Sequence, residues 1–213
     1  MALQVCEIFS SILGESTLAG LPAFFLRLTG CNLRCRYCDT AYAYEGGMEM
    51  TAEELLAAAR SHPARRVLVT GGEPLLQAGT LPLLSSLADA GLEVLLETNG
   101  SLPIKDVDTR VRRILDLKCP GSGMESHNLW ENLEHLHAGD EVKLVIRNRD
   151  DFVWAVEIIK RHFLAGRVPL LISPVFGEVP SREAAAWILE SGLPLRLNLQ
   201  LHKYIWGPEV RGV

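Results

Sequence analysis

Apolar residues along the chain gather into short β-rich runs, separated by longer stretches that read as helices. The short runs predict strands at Ala23 to Leu28, Val67 to Thr70, Val94 to Thr98, Ile114 to Leu117, Val142 to Ile146, Pro169 to Ile172 and Leu195 to Leu199. Most are too apolar to face water, so both faces of the sheet should be covered. Helix starts are marked by caps: Thr51-Ala52-Glu53-Glu54 is a capping box before Leu55 and Leu56, and Ser181 precedes Glu183 and an alanine-rich turn. Buried strands alternating with helices imply a parallel sheet with right-handed crossovers, open and doubly wound or curled. A full eight-unit barrel takes about 250 residues. Seven strands with some helices missing therefore predict an α/β fold of the incomplete, TIM-like barrel type. No repeat, low-complexity segment or long linker interrupts the chain, and a single domain over 1–213 is expected.

Composition narrows the function. The 213 residues are 48% apolar and 22% charged, with a formal charge of −5, which suits a globular protein and argues against nucleic-acid binding driven by bulk charge. The opening Met-Ala-Leu-Gln-Val-Cys-Glu has no basic region followed by an apolar run, so a cytoplasmic protein is expected. Runs such as Val168 to Ile172 fall far short of the roughly 20 residues that cross a bilayer, and no membrane association is expected. Polar and glycine-rich residues cluster after the strands, at Thr29 to Thr40, Gly71-Gly72-Glu73-Pro74, Asn99-Gly100 and Lys118-Cys119-Pro120. In a parallel sheet these loops share the carboxyl edge, where ligands bind.

Three of the five cysteines crowd into Cys31-Asn32-Leu33-Arg34-Cys35-Arg36-Tyr37-Cys38, a C-x-x-x-C-x-x-C spacing that a disulfide framework does not explain. Three thiolates can each hold a different iron of one [4Fe-4S] cube, leaving the fourth iron open to an amino and carboxylate chelate. Two other readings use the same residues. Structural zinc needs a fourth ligand from Cys6, Cys119 or a distant histidine. A redox disulfide between Cys35 and Cys38 leaves Cys31 unexplained.

The cysteine spacing, with aromatic Tyr37 just before Cys38, resembles the signature of radical S-adenosylmethionine (SAM) enzymes, in which an electron from the cluster cleaves SAM to a 5′-deoxyadenosyl radical. Gly71-Gly72-Glu73-Pro74 resembles their glycine-rich SAM motif: two glycines let the methionine amino group approach main-chain carbonyls, with Glu73 near that cation. Ile8-Phe9, Gly14-Glu15, Phe25 to Gly30, Asn32 to Thr40 and Gln200 to Trp206 are similar, over nearly the whole chain, to the 7-carboxy-7-deazaguanine synthases of the 7-deazapurine (queuosine) pathway. That resemblance implies a lyase in which 6-carboxy-5,6,7,8-tetrahydropterin loses a hydrogen from C6, contracts its ring and releases ammonia, with SAM regenerated.

The resemblance also implies site residues. Cys31, Cys35 and Cys38 would hold the cluster, and Thr40 would bind Mg²⁺. Tyr37, Cys38, Asp39, Gly72, Glu73 and the segment Asp116-Leu117-Lys118 would contact SAM, although the family often has serine at the position of Asp116. Ile12, Leu13, Gly14, Glu15, Arg27, Thr70 and His202 would contact substrate, with Arg27 gripping its carboxylate. Leu13 stands where the family commonly has glutamine and Ser16 where it has glycine, so contact at Leu13 is expected through backbone. Implied partners are a reductant such as flavodoxin or ferredoxin and a second copy in a homodimer. Two rivals remain at this level: an activase that places a glycyl radical on a protein partner, and a zinc-stabilised binding module.

Overall fold

The structure is a computed structural model that describes residues 2–213. In chain order it contains β1 (Ala2–Ile12), β2 (Pro22–Leu28), β3 (Met48–Thr51), α1 (Ala52–Ser61), β4 (Arg66–Gly71), α2 (Thr80–Asp89), β5 (Glu93–Thr98), β6 (Arg112–Leu117), β7 (Glu141–Ile146), α3 (Arg149–Arg161), β8 (Leu170–Pro174), α4 (Ser181–Ser191), β9 (Leu195–Leu197) and α5 (Leu201–Ile205). All strands join one sheet in the order β3-β1-β2-β4-β5-β6-β7-β8-β9. From β2 through β9 neighbours run parallel, and the two ends of the sheet do not pair, so the barrel stays incomplete.

The seven expected strands are present with ends moved by a few residues, but β1 and β3 were not expected. Both run antiparallel: β1 pairs with β2 on one side and β3 on the other. Their sequences explain the omission. Along Ala2–Ile12 exposed positions are interleaved with buried Leu3 and Val5, and Met48–Thr51 is four mostly exposed residues, so neither forms an apolar run. The β5 to β6 connection carries no α-helix, and the β6 to β7 connection has only short 3₁₀ turns, as the missing helices required. The capping box opens α1: Thr51 Oγ1 accepts from the Glu54 amide, and the Thr51 amide donates to Glu54 Oε2 at 2.8 Å. At α4 the start is where Ser181 indicated, but Ser181 makes no cap and meets the Tyr204 hydroxyl at 2.8 Å.

Strand pleating sorts the side chains into two faces. Leu26, Val69, Leu96, Leu115, Leu117 and Leu144 belong to the large core shared with Leu55, Leu83, Leu87 and Ile158 of the helices. Truncating one such leucine to alanine costs about 2–5 kcal/mol. On the concave face, Ala23, Phe25, Leu68, Leu95 and Ile114 join Leu13 in a second apolar cluster that makes a floor. Two residues farther along those strands the inward positions are Arg27, Thr70, Glu97 and Asp116, and Lys143 of β7 completes the layer. Register places Arg27 beside Thr70 and Asp116 beside Lys143, and the five adjacent strands β2, β4, β5, β6 and β7 each contribute one polar group above the floor.

Candidate active site

A cavity of about 600 Å³ opens at the carboxyl edge of the sheet. Its walls are the floor, the polar layer, the cysteine loop after β2 and the segment after β9. The cysteine loop sits directly on the Gly71-Gly72 turn. A Cβ on Gly72 would lie 2.1 Å from the Gly30 carbonyl oxygen and 2.8 Å from Cys31 Cβ, and the Glu73 amide donates to that same carbonyl at 2.7 Å. Gly71 adopts φ 144°, where a Cβ would lie 2.1 Å from the Leu28 oxygen. The two glycines thus let the cysteine loop and the β4 exit meet backbone to backbone.

Cys31, Cys35 and Cys38 are unpaired, half-buried and on the cavity wall. Among the described residues no three His, Cys, Asp or Glu side chains are placed to hold one metal ion. A cube takes its three thiolates on separate irons, whereas a structural tetrahedral ion gathers four donors on itself. Of the fourth donors named for zinc, Cys119 is buried in the helix-side core and Cys6 lies on β1 outside the cavity wall, while the one histidine on that wall, His202, packs over Gly14. Burial raises the Cys35 thiol, Lys118 lowers it in part, and Asp116 raises it further. The Asn99 amide approaches Cys31 Sγ at 3.7 Å.

The polar layer is a connected network of charges. Lys143 Nζ lies 2.7 Å from Glu15 Oε2, 3.7 Å from Asp116 Oδ2 and 3.8 Å from Glu97 Oε1. Lys118 Nζ reaches Asp116 Oδ2 at 3.0 Å, and the Thr70 hydroxyl donates to Glu97 Oε2 at 2.8 Å. Burial opposes ionisation of Glu15, yet the Lys143 ammonium outweighs it and holds the carboxyl below its ordinary range. Asp116 Oδ1 is buried without a partner among the described residues. Arg27 donates from Nε to Glu7 Oε1 at 2.7 Å, and Glu7 also accepts from the Tyr42 hydroxyl at 2.9 Å. Glu7 thus fixes one edge of a planar fork whose other nitrogens make no hydrogen bond to the described residues.

The chain after β9 closes one side of the cavity. The Leu201 amide donates to the Gly14 oxygen at 2.9 Å, and a Cβ on Gly14 would fall 2.1 Å from His202 Nδ1, so the imidazole needs glycine there. Burial lowers the His202 pKa, against the pull of Glu15 and Asp39. Gln200 Nε2 donates to Glu15 Oε1 at 2.8 Å and to Asp39 Oδ2 at 3.1 Å. Lys203 pairs with Asp39 at 2.5 Å and, against the cost of burial, drives that carboxyl well below the usual range. Thr40 donates to the other Asp39 oxygen at 2.9 Å.

Of the residues singled out in the sequence, Ile12, Leu13, Gly14, Glu15, Arg27, Cys31, Cys35, Tyr37, Cys38, Asp39, Thr40, Thr70, Gly72, Asp116, Lys118 and His202 line this cavity. Glu73 and Leu117 do not. The Glu73 carboxylate is fully buried behind the wall and accepts from the Leu75 amide at 3.0 Å, the Thr98 hydroxyl at 2.9 Å and the Asn99 amide at 2.6 Å, so it ties the β4 turn to the end of β5. Leu117 falls on the helix side by strand alternation. The Leu13 amide donates to the Leu21 oxygen and the Leu13 carbonyl accepts from the Gly20 amide, both at 2.8 Å, so both of its backbone groups are already paired within the turn after β1. Ser16, at φ 77°, occupies the left-handed conformation that favours glycine, in line with the family's residue there. Lys143 and Glu97 escaped the sequence reading, and Asn99 and Gln200 entered it only within the segments Asn99-Gly100 and Gln200 to Trp206, without a role. The one signal of the first two is a charge inside an apolar strand, Lys143 in Glu-Val-Lys-Leu-Val-Ile and Glu97 in Glu-Val-Leu-Leu-Glu-Thr.

Comparison with known proteins agrees with this geometry. Residues 26–177 match the Radical SAM superfamily. The chain is 48% identical over 214 residues to the 7-carboxy-7-deazaguanine synthase of Chlorobaculum tepidum, covering 99% of this chain and 97% of that protein. It is 41% identical to the synthase of Koribacter versatilis, covering 99% of this chain and all of its relative. The crystal structure of QueE from Escherichia coli superposes with a TM-score of 0.78 at 23% identity, over 93% of this chain and 94% of that one, which establishes a shared fold. With three thiols and a ring of strand-borne charges facing one cavity, and full-length relatives at this identity, the chain belongs to the 7-carboxy-7-deazaguanine synthase family of the Radical SAM superfamily.

Proposed function

We propose that this chain is a radical SAM carbon-nitrogen lyase that converts 6-carboxy-5,6,7,8-tetrahydropterin to 7-carboxy-7-deazaguanine with loss of ammonia. The observation that carries the reading is that the Cys31, Cys35 and Cys38 thiols and the unfilled side of the Arg27 fork face the same cavity. An initiator and a carboxylate grip serve one small substrate there; an activase working on a protein partner has no use for that grip.

The donor set fits the cofactors: three free thiols suit a site-open cube, and the unpartnered Asp116 Oδ1 offers an acceptor to a bound cationic or hydroxylated ligand. When bound, the reduced [4Fe-4S] cluster and SAM supply a 5′-deoxyadenosyl radical that takes hydrogen from C6 of the pterin. The protein's residues do the positioning. Tyr37, Asp39, Gly72, Asp116 and Lys118 line the SAM side, with Tyr37 anchored by its hydroxyl to the Val145 oxygen at 3.2 Å. Arg27 grips the substrate carboxylate, and Glu15 accepts from the amino-pyrimidine edge. Ile12, Leu13, Gly14 and His202 wall that end, and Thr70 reaches the ring from β4. Thr40, whose hydroxyl proton is held by Asp39 Oδ1 at 2.9 Å, would give Mg²⁺ one oxygen, and water and substrate would supply the rest. The apolar floor keeps water from below the reacting centre.

The enzyme works as one domain within a homodimer, in the cytoplasm, with flavodoxin or ferredoxin as reductant. Five unpaired cysteines, three of them for an iron-sulfur site, suit a reducing compartment. No helix among the described residues is long and apolar enough to cross a membrane. The test is anaerobic incubation of iron-loaded, reduced protein with SAM, Mg²⁺ and the carboxylated pterin. The expected result is 7-carboxy-7-deazaguanine with one ammonia per turnover and SAM recovered. Cleavage of SAM without that product overturns the substrate assignment.

A further inference from the structure

Lys143 sits in the middle of β7, between Val142 and Leu144 of the helix-side core, with its own side chain on the cavity wall. It is 8% exposed. Its ammonium is shared by carboxylates from three other places in the fold: Glu15 from the segment after β1, Glu97 from β5 and Asp116 from β6. Only Glu15 lies within hydrogen-bonding distance, at 2.7 Å. Asp116 has a second cation in Lys118, and Glu97 has the Thr70 hydroxyl. Glu15 has the neutral Gln200 amide, the His202 ring nearby and the charge of Asp39 set against it, and Asp39 is already held by Lys203. Lys143 is therefore the one direct cationic partner of Glu15 among the described residues.

We infer that Lys143 is a positioning residue for substrate: it keeps the buried Glu15 carboxylate ionised and aimed, so that Glu15 accepts hydrogen bonds from the N–H groups of the amino-pyrimidine edge. This rests on the reading of Glu15 as a substrate contact. A carboxyl buried without its cation takes up a proton, and a protonated Glu15 presents a donor to a donor edge. Burial already works against the Glu15 charge, and Lys143 is the group that reverses it.

The experiment measures equilibrium binding of 6-carboxy-5,6,7,8-tetrahydropterin to cluster-loaded, SAM-bound enzyme, together with KM and kcat, between about pH 6 and 9, a range well above an ordinary carboxyl titration. Wild-type affinity is expected to be flat with respect to Glu15 across this range. Lys143→Met is expected to weaken binding by about tenfold or more near the acidic end and less near the alkaline end, with kcat reduced less than affinity. Lys143→Arg, which keeps the charge, should restore the flat profile. Glu15→Gln should weaken binding without pH dependence. Because Lys143→Met leaves three carboxylates without their shared cation, the double variant Glu15→Gln/Lys143→Met relieves the pair and tests the same link. Affinity in the double variant equal to that of Glu15→Gln supports the inference, and a further large loss overturns it. Normal affinity in Lys143→Met, with Glu15→Gln impaired, overturns the role of Lys143 alone. Normal affinity in Glu15→Gln overturns the reading of Glu15 itself.

Discussion

The cysteine loop and the polar layer inside the sheet face one cavity and are built in opposite ways. The loop is contiguous chain whose shape depends on backbone contact with Gly72, so its three thiols are placed together or not at all. The layer takes one residue from each of several strands, and its spacing is set by the ladder rather than by local sequence. A lesson about separability follows: removing a member of the layer leaves the sheet and the three thiols standing, whereas removing a member of the loop removes the group that all three thiols serve.

The contrast can be broken most sharply at Cys35. Cys35→Ala is expected to abolish cluster assembly and turnover, read as loss of bound iron, of sulfide and of product. Full activity with two thiols would erase the distinction. The intermediate case is Arg27→Lys, which keeps a charge in the layer but loses the fork held by Glu7. Iron content should be unchanged while KM for the carboxylated pterin rises by about tenfold, as expected when a bidentate grip becomes a point charge. Thr40 gives the smallest effect and the finest test, because it sits on the loop yet contributes an oxygen rather than a thiolate. Thr40→Ala should retain the cluster and raise the Mg²⁺ concentration needed for half-maximal rate by a few-fold, behaving as a member of the layer in spite of its address. Loss of iron from Thr40→Ala would instead assign it to the loop's own architecture.

The two regions were unequally legible in the sequence for the same physical reason. Cys31, Cys35 and Cys38 announce themselves because ligands on one loop appear as spacing, and the buried parallel strands announce themselves as apolar runs. Lys143 and Glu97 each interrupt an apolar run with a charge, and only the fold reveals that the two side chains converge, Lys143 Nζ lying 3.8 Å from Glu97 Oε1. Strands β1 and β3 stayed hidden because half-exposed antiparallel strands mix polar and apolar residues. Glu73 stands beside two glycines in the sequence, and only the fold shows that three donors behind the wall claim its carboxylate. Leu117 was carried along with its neighbours, although alternation sends it to the other side of the sheet. His202 lies nearly two hundred residues from Gly14, and no local pattern could indicate that its ring would need a glycine beneath it.

The strict in-and-out alternation of these strands has a consequence for how such a scaffold changes over generations. Arg27 is flanked by Leu26 and Leu28, Asp116 by Leu115 and Leu117, and Lys143 by Val142 and Leu144, all anchored beneath the helices. Stability and selectivity are thus written on alternate letters of the same words. Drift in ligand preference needs only the inward letters to mutate, one strand at a time, with the fold's own spelling left intact.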